Sequence, residues 1–277
     1  MSKIYDALKK LERERGGGGG GNGKNGGNGK NGGGNGKGHG RRAWQWLFGN
    51  GSHRAEAHPA LHRNLGPDVE EAYQRLGTNL LGGPTTEAAP APRLLGVVAS
   101  RHGEGATTTA AVFASILVRR RGGRVAVVEA NLRSPSFETV FHTQREGGFA
   151  QLILGERSLE ELAQPTEIPN LFALPCGHTA LGPSALFDAP GVPAALDRLR
   201  ETFQFVIFDL PPANVYSDAS ILGPRLDAGL IVIEADRTRI ADVERTRRTL
   251  ERAGVRLAGS VLNRRRNYIP GFLEEML

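Results

Sequence analysis

Cysteine is almost missing from this chain. Among 277 residues there is one, Cys176, so no disulfide can close within the chain and a reducing, cytoplasmic compartment suits it. A single cysteine of this kind reads as a buried or loop thiol rather than a nucleophile. Long apolar runs are missing as well: none approaches the ~18 residues of a membrane span. The charged N-terminus lacks the apolar core of a secretory leader. Aromatic residues make up only 6% of the chain, and both tryptophans fall in one short segment. Net positive charge is missing outside the N-terminal arm. The formal net charge is +6, but residues 1–64 carry 12 Lys/Arg against 4 Asp/Glu, so the remainder is slightly acidic. The high isoelectric point therefore belongs to the arm, and no nucleic-acid footprint is expected on the main domain.

What is present falls into four parts. Residues 1–15 show Ile4, Leu8 and Leu11 at helical spacing behind Ser2, an amphipathic helix too short to be stable alone, which either docks on lipid or protein or is a frayed tail. Residues 16–40 contain 16 glycines with asparagine and lysine between them. Such a chain cannot bury enough surface to fold, and as a tether it would reach ~25–30 Å. Residues 41–66 open with Trp44, Trp46, Leu47 and Phe48 beside Arg41 and Arg42, the composition of an interfacial anchor or of a loop packed on the domain. Residues 67–277 are globular in pattern.

Within that last part, Val69, Ala72, Tyr73, Leu76 and Leu80 share a helical face, and a Pro/Ala/Thr linker follows at 83–93. Apolar runs at 94–99, 124–129, 171–174, 205–209, 229–234 and 257–262 alternate with helical patterns at 107–121, 192–202 and 240–253. Continuous apolar strands alternating with helices predict an α/β fold with a doubly wound, mostly parallel sheet. In such sheets ligands lie beyond the carboxyl ends of the strands, and three informative stretches fall there. After the first strand comes Ser100-Arg101-His102-Gly103-Glu104-Gly105-Ala106-Thr107-Thr108, a glycine-rich turn into a helix. Gly103 and Gly105 permit positive φ, and the amides up to Thr108 would face an anion at the helix N-terminus. Taken alone, the stretch also fits a plain strand-to-helix turn. Asp209 ends an apolar strand before Pro211 and Pro212, where it would hold Mg²⁺ together with Thr107, or serve only as a turn cap. Glu129 to Pro135 form a polar, basic loop after the second strand.

Together these stretches resemble the bacterial tyrosine kinases, the ATPase domains of polysaccharide co-polymerases in capsule and exopolysaccharide synthesis, which belong to the deviant-Walker P-loop class. The resemblance covers about residues 67–270. The family's S-x-x-P-G-E-G-K-[ST]-T reads SRHGEGATT here, its D-x-D-x-R-x-P reads EANLRSP, and its D-x-P-P reads DLPP. The later runs DAGLIVIEADRTR and AGSVLNRRR, and the opening MSKIYDALKK, are similar too. The resemblance implies nucleotide binding by Gly103, Glu104, Gly105, Ala106, Thr107 and Thr108, a purine contact by Asn263, magnesium on Thr107 and Asp209, and a catalytic role for Asp209.

The chain departs from that pattern at several chemical positions. Ala106 stands where the family has its phosphate-binding lysine. Glu129 and Asn131 replace two aspartates of the degenerate second motif, while Arg133 is kept. Gln74 and Gly77 occupy the arginine positions of E-x-x-R-x-x-R, and Tyr268 is all that remains of a C-terminal tyrosine cluster. A charge-assisted phosphate contact is worth ~1.5–3 kcal/mol, and losing one such donor costs on the order of 10²–10³ in rate. The expectation is a non-catalytic regulatory or scaffolding subunit with weakened or lost Mg-ATP or Mg-ADP binding, Arg101 or Arg133 being the nearest substitute charges. An active tyrosine autokinase and a partitioning-type positioning ATPase are the alternatives. The expected partner is a membrane polysaccharide co-polymerase or another export component, with homo-oligomers and with contact to the inner leaflet through residues 1–15 and 41–48. The expected location is cytoplasmic, peripheral at the inner face of a bacterial membrane. Arg264, Arg265 and Arg266 read as a solvated basic turn or a docking patch.

Overall fold

The computed structural model describes residues 66–82 and 91–265. The helix expected at 1–15, the linker at 16–40, the tryptophan segment (apart from Gly66), most of the linker at 83–93, and residues 266–277 with Arg266 and Tyr268 lie outside the described residues.

Seven strands form one sheet: β1 Leu94–Ala99, β2 Val125–Glu129, β3 Gln164–Pro165, β4 Leu171–Leu174, β5 Phe205–Asp209, β6 Ala228–Glu234 and β7 Leu257–Asn263, in the order β3-β4-β2-β5-β1-β6-β7. Every pairing is parallel except the two-residue edge strand β3. The inner strands are buried on both faces, so they read as unbroken apolar runs. Alternate residues feed two cores. Leu95, Val97, Val125, Val127, Phe205 and Ile207 face one side, and Leu94, Val98, Ala126, Val128, Val206 and Phe208 face the other.

The first core is covered by α2, Ala106–Arg121, whose residues Thr109–Val118 are all buried. A helix buried all round needs a second cover, which is α1, Pro67–Leu81. At Gly77, α1 faces Phe113 and Leu117 of α2, with room for ordinary van der Waals contact. The second core is covered mainly by α7, Val192–Thr202, α9, Ile240–Arg252, and shorter turns of helix: α4 Phe149–Leu154, α5 Leu159–Leu162, α6 Pro183–Phe187 and α8 Asp218–Leu222. A further short helix, α3 Phe137–Phe141, contributes Phe137 to the first core.

The six expected strands all form, within one residue at their ends. β3 and the helices of four to six residues are additions, because elements that short carry no readable period. Among the described residues no helix is long and apolar enough to cross a membrane.

Candidate nucleotide site

β1 lies between β5 and β6, so the turn that leaves its carboxyl end runs out between the ends of two neighbouring strands. That turn, Ser100 to Gly105, is folded around its own glutamate. Glu104 is buried, and its Oε2 accepts the N–H groups of Ser100 (2.8 Å) and Arg101 (3.1 Å) while Thr238 donates its hydroxyl to Oε1 at 2.7 Å. The Glu104 carboxylate therefore shapes the loop from within. Gly103 and Gly105 have φ +84° and +97°, left-handed values that favour glycine. Gly105 is also the N-cap of α2, and the helical bonding starts with Thr109 N–H to Gly105 C=O at 2.9 Å. The N–H groups just before that bond have no intrahelical partner, as at any helix start, and carry the positive end of the helix dipole.

A cavity of about 500 Å³ opens over this loop. Its walls include Arg101, His102, Gly103 to Thr108, Asn131, Asp209, Pro212, Arg237 and Arg264. Gly103, Glu104, Gly105, Ala106, Thr107, Thr108, Asn131 and Asp209 are thus brought together around one space. Among the described residues no lysine lines it, and Ala106 packs its methyl toward the first core.

Asp209 sits at the end of β5, on the α2 face of the sheet and 1% exposed. Thr107 donates its hydroxyl to Asp209 Oδ2 at 2.6 Å, and Oδ1 is buried without a hydrogen-bond partner. Burial pushes the Asp209 carboxyl up to about 7; the Thr107 bond opposes the rise and the neighbouring Glu129 carboxylate adds to it. A buried, half-satisfied carboxylate beside a hydroxyl is an oxygen donor set that suits a hard cation. Thr107 and Asp209 fit the magnesium ion that the resemblance implies.

The second motif is arranged otherwise. Glu129 is the register partner of Asp209 on β2 and shares its face of the sheet. Its longer side chain reaches past the cavity. Oε1 accepts the N–H groups of Ser136 and of Phe137 (2.7 Å), and Oε2 accepts the N–H of Cys176 at 3.1 Å. Glu129 thereby anchors the start of α3 and the loop after β4, and it does not line the cavity. Asn131 does line it, while its Oδ1 accepts the Ser134 N–H at 3.2 Å. Arg133 is paired through Nε and Nη2 with buried Asp218 at 2.9 and 3.2 Å and lies over the Tyr216 ring, away from the cavity. Of the two nearby arginines noted in the sequence, Arg101 reaches the wall, and it is paired with Asp242 at 3.0 Å. Asn263 is not in the wall; its Nδ2 donates to the Glu104 carbonyl at 2.9 Å and bears on the loop beside Gly105. Cys176 is buried, and burial with the neighbouring Glu129 pushes its thiol up to about 12, which keeps it protonated and poorly nucleophilic.

Arg237 and Arg264 are the wall residues that the motif reading missed. The same strand-end rule that singles out Asp209 would have found them, since Arg264 follows β7 directly and Arg237 lies three residues beyond β6.

With this geometry in hand, the chain can be set beside known proteins. No protein-family model matches it. The tyrosine-protein kinase CpsD of Streptococcus pneumoniae serotype 4 is 27% identical over 198 residues, covering 71% of this chain and 84% of that protein. The tyrosine-protein kinase ptk of Acinetobacter johnsonii is 29% identical over 140 residues, which is 50% of this chain but 19% of that protein. The chain is a relative of the bacterial tyrosine-protein kinases. In fold it matches the kinase domain of the Escherichia coli tyrosine kinase ETK, with a TM-score of 0.68 and 21% identity over 82% of this chain and 90% of that domain. The match to ptk leaves about four-fifths of that longer protein without a counterpart here.

Proposed function

We propose that this relative of the bacterial tyrosine kinases is a non-catalytic subunit of capsule or exopolysaccharide synthesis that holds Mg-nucleotide weakly and transfers no phosphoryl group. The observation that carries the reading is the set of groups around the cavity: Ala106 at the lysine position, Glu129 committed to three backbone N–H groups, and one carboxylate, Asp209, left facing Thr107.

Phosphoryl transfer is driven almost wholly by positioning and by charge placed against the phosphates. The loop still supplies a helix N-terminus and a glycine-shaped cradle, so phosphate has a place to sit. Thr107 and Asp209 would hold a magnesium ion, which when bound would offset phosphate charge. What the loop cannot supply is a cation to follow the charge onto the leaving oxygens. With a lost donor worth on the order of 10²–10³ in rate, loss of the lysine, together with the replacement of the second-motif aspartates by Glu129 and Asn131, brings turnover close to background.

As partner we infer a membrane polysaccharide co-polymerase or another export component, met at the inner face of the membrane. Support comes from the amphipathic residues 1–15 and the Trp/Arg residues 41–48.

The reading is tested on the full chain by phosphate release and by anti-phosphotyrosine blotting after incubation with Mg-ATP. Neither signal should rise above that of Asp209→Ala. The Ala106→Lys variant should bind Mg-ADP ~10–100-fold more tightly than the unaltered chain in calorimetry. Turnover by the unaltered chain that Asp209→Ala abolishes would overturn the proposal.

A further inference from the structure

The arginines on the β6–β7 side of the cavity share one carboxylate. Arg264 Nη1 lies 2.6 Å from Glu234 Oε1, and Arg237 Nη1 lies 3.3 Å from Glu234 Oε2. Glu234 is the last residue of β6 and is 8% exposed. The Arg264 side chain is 15% exposed and that of Arg237 is 74% exposed, so one is fixed in the wall and the other hangs at its rim. The backbone beside both is unusual. Asp236 has φ +62° and Arg264 φ +58°, left-handed values that residues with side chains seldom adopt. Such conformations gather at ligand clamps and switches. Arg264 is steadied there by its own N–H, which bonds Asn263 Oδ1 at 2.9 Å, and Asn263 in turn bears on the loop through the Glu104 carbonyl. The loop and the arginine are therefore joined by one side chain.

The other charged groups of the wall are already engaged. Arg101 is bound by Asp242 on α9. Glu104 is folded under the loop, and Asp209 faces Thr107 on the opposite side. Both guanidiniums stand in the wall of a cavity whose floor is a helix N-terminus. Guanidinium also suits phosphate better than carboxylate alone can hold it, through its planar fork of donors.

We propose that Arg237 and Arg264 take the place of the missing loop lysine as the cations for a di- or triphosphate chain, with Glu234 holding them until phosphate oxygens displace it. The inference rests on reading the cavity as a phosphate site. A side-chain carboxylate exchanged for a phosphate keeps the guanidiniums paired in both states, while the cost falls on Glu234, which is buried and loses them. Glu234 would act as an internal competitor that sets a weak affinity.

The test is calorimetric titration of the full chain with two probes, Mg-ADP and inorganic pyrophosphate. The unaltered chain should bind at least one. Binding of both with similar affinity assigns recognition to the phosphate chain itself, and binding of Mg-ADP alone assigns it to a nucleotide; either supports the proposal. Arg237→Gln with Arg264→Gln should weaken binding at least ~10-fold, and Glu234→Gln should tighten it severalfold. Adding Ala106→Lys to the double variant should restore binding. Should the double variant melt early for want of a partner to Glu234, the triple variant with Glu234→Gln removes the whole cluster and serves in its place. No binding of either probe by the unaltered chain, or equal binding by the variant that lacks the arginines, overturns the proposal. The first of these results leaves the non-catalytic reading standing. Phosphate release by the unaltered chain would sink that reading and leave the arginine assignment intact.

Discussion

On the β5–β2 side of the loop, carboxylates are bonded to backbone and to a hydroxyl, whereas on the β6–β7 side a carboxylate is bonded to arginine side chains. Both sides lie at the carboxyl ends of parallel strands, next to the same glycine turn. Glu129 and Glu234 are even the same residue type, each the last of its strand and each buried. Their partners make the difference. Backbone N–H groups fixed by α3 and the β4 loop cannot leave Glu129 without unfolding what they belong to. The exposed Arg237 side chain can rotate away from Glu234 toward another anion, and Arg264 already stands in the cavity wall. One flank has turned its acidic group into architecture, and the other has kept its charges exchangeable.

The comparison breaks most visibly at Glu129. Glu129→Ala leaves the N–H groups of Ser136, Phe137 and Cys176 without their acceptor in a buried setting. At ~1–3 kcal/mol for each unsatisfied buried group, partly relieved by water, the loss should be ~3–5 kcal/mol. Urea unfolding monitored by circular dichroism measures it. A loss under ~1 kcal/mol would mean that Glu129 is as replaceable as a surface acid.

Asp209 tests the same flank by pH. Its folded-state pKa of about 7 lies above the 3.8 of an ordinary aspartate, so between those values the folded chain keeps a proton that the unfolded chain has released. Stability from this group is therefore full below pH ~4 and is lost as pH rises through ~7. Asp209→Asn keeps an acceptor for the Thr107 hydroxyl and removes the buried charge. In the presence of EDTA, the variant should match the unaltered chain near pH 4 and exceed it by ~2–4 kcal/mol at pH 8. Parallel pH profiles for the two proteins would show that Asp209 is charged at little cost.

How far the sequence discloses these arrangements depends on the reach of each side chain. Gly103, Gly105, Thr107 and Asp209 line one cavity because strand–turn–helix order and strand-end position fix their backbone places, and short side chains stay near them. Glu129 shares a face and a register row with Asp209, as strand alternation implies. Its extra methylene and its bonds to residues 7, 8 and 47 positions away belong to tertiary structure and leave no local mark. The same holds for Arg133, whose partner Asp218 is 85 residues distant, and for Asn263, whose amide meets the loop 159 residues earlier. Arg264 was legible as a basic residue at a strand end, but its bond to Glu234, 30 residues earlier, belongs to tertiary structure. Pattern gives faces and ends; partners come only with packing.

The smallest expected effect is the one that sharpens the contrast between the flanks. Glu234→Gln keeps the shape of the side chain and a carbonyl that can still accept from Arg264, and it removes a single charge. Arg237 is largely exposed, so its share of the pairing is screened and adds little to stability. Arg264 is mostly covered, and retaining an acceptor there avoids leaving a buried cation alone. The stability lost should be ~1 kcal/mol or less, read as a shift of a few degrees in thermal midpoint at low salt that shrinks as salt is added. A loss as large as that of Glu129→Ala would place Glu234 with the architectural groups, and its arginines would then be held too firmly to exchange for phosphate.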